Sequence, residues 1–75
     1  MNNAFIQRQS THLSERAIQS ANGDLENAID FVYEFALSRK PNHEERQRAL
    51  AAANERGLPR VCWALFNSTE FVYVR

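Results

Sequence analysis

Cysteine, glycine and proline are scarce in this chain of 75 residues, which has one Cys, two Gly and two Pro. The single Cys62 excludes an internal disulfide, and a secreted domain of this size would more often carry paired cysteines. No apolar run approaches the roughly 20 residues of a membrane-spanning helix, and the first residues carry neither the basic stretch nor the apolar block of a signal peptide. Net charge is also missing. Nine basic residues balance nine acidic ones, so no long-range field draws the chain to a phosphate backbone or an anionic membrane. There is no internal repeat and no low-complexity tract. Residues 1–75 make one domain, and a chain this short hides only about 60 % of the surface it exposes when unfolded, so the core is thin.

What is present is helical periodicity, divided into four segments by the few glycines and prolines. The first runs from about Asn3 to Ala21, with Asn2 or Asn3 as N-cap. Its apolar face is narrow: Ile6, Leu13 and Ala17 fall together, flanked by Ser10, Ser20 and Ala21. Asn22-Gly23 stops it, because glycine reaches the left-handed conformation that closes a helix. Asp24 caps a second helix, Leu25 to about Ser38, in which Leu25, Ala28, Ile29, Phe31, Val32, Tyr33, Phe35 and Ala36 cover more than half the circumference. Pro41 disfavours helical geometry at Lys40, so the second helix ends there. Asn42-His43-Glu44-Glu45 has the form of a capping box and opens a third helix, about His43 to Arg56, that is rich in alanine and buries Ala49, Leu50 and Ala53. Gly57 ends it, and Leu58-Pro59 opens a fourth.

In the fourth segment, Val61 to Phe66, apolar groups point in nearly every direction. This helix is either central to the bundle or covered by something outside the chain. Ser68-Thr69-Glu70 offers a further cap before Phe71, and Val72-Tyr73-Val74 prefers extended structure. The predicted architecture is therefore all-α, a small bundle of about four helices with a short extended C-terminal tail lying as a strap across it.

Two stretches carry a family resemblance. Ala36 to Glu45 reads Ala-Leu-Ser-Arg-Lys-Pro-Asn-His-Glu-Glu, and Val61 to Val74 reads Val-Cys-Trp-Ala-Leu-Phe-Asn-Ser-Thr-Glu-Phe-Val-Tyr-Val. They resemble the C-terminal end of a planctomycete-specific domain of unknown function, found in large proteins that often also carry a second such domain and a cytochrome-c-like module. Met1-Asn2-Asn3-Ala4-Phe5-Ile6 is similar to a segment internal to those proteins. The resemblance spans nearly the whole chain in order, and Leu-Phe-Asn-Ser-Thr-Glu-Phe is its strongest part. It implies a relative rather than a reaction, since that family has no established activity to transfer to particular side chains. The chain lacks the long N-terminal part of those proteins. It also has no Cys-x-x-Cys-His for attaching haem, so an electron-transfer role would sit in a separate module. Full-length relatives look exported, whereas this chain shows no export signal.

Candidate sites divide between chemistry and packing. Cys62, His12 and His43 form no close-spaced ligand pair for zinc, and a buried cysteine usually behaves as a small core hydrophobe. Glu44 and Glu45 project about 100° apart on a helix, and Glu45 already has a capping task. Arg39 can bind an anion, cap helix-two carbonyls or pair with an acidic residue. No acid, base and nucleophile fall at a workable spacing, so no catalytic, cofactor or metal residues are assigned and no enzyme is expected. The aromatic set is different: eight large rings are many for four short helices. Phe31, Trp63, Phe66, Phe71 and Tyr73 are the candidate contacts for a protein partner, for the remainder of a larger chain or for a second copy. The alternative is a nucleic-acid-binding helix pair, helices three and four, using Arg46, Arg48 and Arg60, with Trp63 stacking on a base. Glu44, Glu45 and Glu55 interrupt that basic face and argue against it.

Overall fold

Four helices follow one another with short connections in the computed structural model, which describes residues 4–68 and 70–71. They are α1 (Ala4–Ser20), α2 (Leu25–Leu37), α3 (His43–Arg56) and α4 (Leu58–Phe66). No strand occurs among the described residues. The expected caps at Asn2 and Asn3 and the expected extended tail at Val72-Tyr73-Val74 lie outside the described residues. The Cα radius of gyration, 11.2 Å, is the value of about 11 Å that a fully packed domain of this length takes.

Local chemistry sets each boundary. Asp24 Oδ1 accepts the amides of Glu26 and Asn27 at 3.0 and 3.4 Å, which satisfies two of the free donors at the start of α2. The α3 capping box is complete: the Glu45 amide donates to Asn42 Oδ1 at 2.8 Å, and the Asn42 amide donates to Glu45 Oε1 at 2.9 Å. Gly57 closes α3 and starts α4 with φ of 94°, a conformation that costs glycine nothing. The end of α2 falls within a residue of the expected limit near Ser38, but Pro41 is not what sets it. The helix stops at Leu37, where Ser38 enters the left-handed region at φ 61° and donates its amide to the Glu34 carbonyl at 3.0 Å. A non-glycine residue there costs about 1–2 kcal/mol, and the constraint of Pro41 lies beyond this earlier stop.

The core is made of small and branched side chains. Ala28, Ile29, Val32 and Ala36 of α2 and Cys62 of α4 are fully buried, joined by Leu13 and Ala17, Ala49 and Ala53, and Leu58, Val61 and Leu65. On α1 the buried set is Ser10, Leu13, Ser14 and Ala17, a stripe of mostly short side chains that lets a neighbouring helix approach closely. Ser10 donates its hydroxyl to the Ile6 carbonyl at 2.8 Å, so it enters the core without an unpaired donor. Helix α4 packs against α1, α2 and α3, so it is central to the bundle, while Trp63, Ala64 and Phe66 keep part of its apolar surface outward.

Ile29 tests this description. Ile29→Ala should lower the unfolding free energy by about 3 kcal/mol, a large part of the few kcal/mol available to a domain of this size. Phe35→Ala, at a half-exposed position, should cost less than about 1 kcal/mol. Urea titration followed by circular dichroism measures both.

Candidate functional site

The candidate reactive residues do not share an environment. Cys62 is fully buried, while His12 and His43 are exposed on α1 and α3. Burial pushes the Cys62 thiol up to about 12, so the thiolate that nucleophilic or metal chemistry requires is suppressed. No group of three or more His, Cys, Asp or Glu side chains with metal-binding geometry occurs among the described residues. No helix among them is long and apolar enough to cross a membrane.

The aromatic side chains are not equally buried. Phe5 and Phe35 are 58 % and 48 % exposed, and with Ile6, Gln9, Phe66 and Phe71 they line one shallow apolar groove of about 300 Å³. Phe66 and Phe71 meet edge to face, with ring centroids 5.4 Å apart and planes at 73°, an arrangement that aromatic quadrupoles favour. The guanidinium of Arg16 lies 5.8 Å from the Phe35 ring.

Of the five aromatic contacts expected from sequence, Phe66 and Phe71 are therefore brought together. Phe31 is half-buried in a different depression beside Ser20, Asn27 and Asp30. Trp63 lies against Gln7, Ser10 and Pro59, with the Arg60 guanidinium 4.3 Å above its ring. Its indole N–H is buried without an acceptor among the described residues. Tyr73 lies outside the described residues.

Phe5 and Phe35 are the members that sequence reasoning missed. Phe35 was counted in the buried arc of α2, yet it sits about 90° from the centre of the stripe formed by Ala28, Ile29, Val32, Tyr33 and Ala36 at 100° per residue. That offset is visible in the sequence. Which part of a wide arc lacks a covering helix is not.

A charged clamp includes Glu70, the residue before Phe71. Arg39 Nε and Nη2 each donate to Glu70 at 2.8 Å, and Nη1 and Nη2 donate to Glu45 at 2.8 and 2.9 Å. Nη1 also reaches the Lys40 carbonyl at 3.1 Å. Such paired, two-pronged contacts match the planar fork of a guanidinium. Of the roles considered for Arg39, pairing with acidic residues is the one the structure adopts, and its second partner is distant in sequence. The Ser68 hydroxyl donates to the Leu65 carbonyl at 2.7 Å and accepts the Phe71 amide at 3.1 Å, so the expected cap forms and Phe71 is set beside Phe66.

The arginines proposed for nucleic acid are largely committed elsewhere. Arg46 donates twice to Asp30 Oδ1, at 3.1 and 2.8 Å. Arg48 faces Glu44 at 3.7 Å across an exposed helical turn, and Arg60 covers Trp63. Compared with known protein families, curated proteins and solved structures, the chain matches none. The site is therefore defined by its own geometry, as the aromatic groove of a small all-α bundle.

The clamp predicts an acid response. Arg39 holds the Glu45 carboxyl at about 2, with the Asn42 amide adding to the effect, and holds Glu70 below its ordinary value of 4.5. A carboxylate depressed by folding stabilises fully above its unfolded value, and that contribution is lost as pH falls through the folded one. Wild type should therefore lose its advantage over Arg39→Met between pH 4.5 and about 2. Urea midpoints of the two proteins should differ at pH 6 and converge near pH 2. High salt should shrink the difference, since the clamp is partly exposed.

Proposed function

We propose that this chain is a non-catalytic helical module that packs against the remainder of a larger protein of the planctomycete type its sequence resembles. The observation that carries the reading is the groove of Phe5, Phe35, Phe66 and Phe71, two of whose rings are about half exposed. Exposed aromatic clusters are what protein interfaces are enriched in, and single scattered apolar residues are not. The groove draws on Phe5 near one end of the described chain and Phe71 at the other. In the larger proteins the resemblance points to, the corresponding region is the C-terminal end, so the body of the protein is the natural occupant.

Two further observations support a role without chemistry. The Cys62 thiol is fully buried and raised, and neither it nor a histidine lines the groove. The nucleic-acid alternative has less support, because Arg46 is neutralised by Asp30 and the chain is neutral overall.

The test uses the N-terminal part of a family protein, expressed separately and titrated with this chain in trans. Wild type should bind, and the double change Phe5→Ser and Phe35→Ser should weaken binding at least about tenfold while the far-ultraviolet circular dichroism stays the same. Absence of binding, or affinity indifferent to the double change, contradicts the reading.

A further inference from the structure

A second groove, between α3 and α4, has a different chemistry. It holds about 340 Å³. Its floor is apolar and shallow, formed by Ala49, Ala52, Val61 and Ala64 with Leu65 and Tyr33 behind them. Three arginines, Arg48, Arg56 and Arg60, stand along it, and a single carboxylate, Glu45, lies at one end, occupied by Arg39 and the Asn42 amide. The rim cations are poorly compensated. Arg56 forms no ion pair among the described residues, Arg48 has only the exposed 3.7 Å contact to Glu44, and Arg60 faces the Trp63 ring. Tyr33, only 8 % exposed, lines the same groove, and its hydroxyl forms no hydrogen bond among the described residues.

We propose that this groove docks an acidic amphipathic helix of a protein partner, with its small apolar residues on the alanine floor and its carboxylates against Arg48, Arg56 and Arg60. Charge complementarity selects the sign of the partner. Shape selects the helix. The two walls are helices whose backbone donors and acceptors are already used internally, so no sheet edge is offered to an extended strand. A third helix laid between two others fits ridge into groove, and alanine side chains permit the close approach this needs. The stretch from Glu45 to Arg56 is about 16 Å long, enough for three turns of a partner helix. The Tyr33 hydroxyl, a neutral phenol at physiological pH, is a donor available to one partner carboxylate. A nucleic acid is the poorer match, because an apolar floor gives phosphates nothing.

The probe is a synthetic 18-residue helical peptide carrying a Leu/Ala stripe flanked by glutamates, labelled for fluorescence anisotropy, with a lysine-flanked peptide of the same stripe as control. The full chain should bind the acidic peptide and not the basic one, with affinity falling as salt rises from 50 to 300 mM. The double change Arg56→Glu and Arg60→Glu should weaken binding roughly tenfold or more, and Ala52→Trp, which fills the floor, should do the same without altering helical content. Phe35→Ala, in the aromatic groove, should leave affinity unchanged, which separates this site from the one proposed above. Equal binding of both peptides, no binding at low salt, indifference to the arginine reversals, or tighter binding of a labelled DNA duplex or single strand overturns the proposal.

Discussion

A nine-residue helix does not hold its shape alone in water, because nucleating helical structure costs more than so few hydrogen bonds return. Helix α4 is such a helix, and seven of its nine residues are apolar. Both facts are resolved by the same packing: α4 lies against all three other helices, with Leu58, Val61, Cys62 and Leu65 buried. Its neighbours are shaped to receive it. The short side chains of α1 and the alanines of α3 let backbones approach, while Ile29 and Val32 of α2 fill the space between. Cys62 belongs to this set as a volume element, and that same burial removes it from chemistry.

Because the buried face of α4 is filled by Leu58, Val61, Cys62 and Leu65, four of the aromatic rings are accommodated outside the core. They gather where α1 begins and α4 ends, in the groove of Phe5, Phe35, Phe66 and Phe71. The Arg39 clamp matters for that reason. By joining Glu45 at the start of α3 to Glu70, it fixes the residue next to Phe71, and the Ser68 hydroxyl fixes the Phe71 amide. Exposed ion pairs are individually weak, but here two carboxylates share one guanidinium, and Glu45 is already held by its capping role. The order imposed at the α2–α3 turn is thus carried to the aromatic face.

The legible part of the fold was local. Gly23, Asp24, Asn42, Gly57 and Pro59 act through bonds spanning a few residues, so helix limits and the capping box could be read directly. The end of α2 was read to within a residue, but not its means: Ser38, a residue with no strong left-handed preference, closes the helix at positive φ before Pro41 can act. The exposure of Phe5 and Phe35 was also illegible: periodicity defines an apolar arc, while the arrangement of neighbouring helices decides which part of it stays wet. Arg39 could be seen as a pairing residue, but Glu70 lies 31 positions away, beyond any helical spacing rule.

Native-state hydrogen exchange of the α4 amides addresses the central claim, that this short helix is the internal element around which the bundle closes. Amides of Val61 to Leu65 should exchange only with global unfolding, as slowly as those of Ile29 and Val32. Exchange of α4 through a separate, lower-energy opening while α1 to α3 remain protected would contradict it.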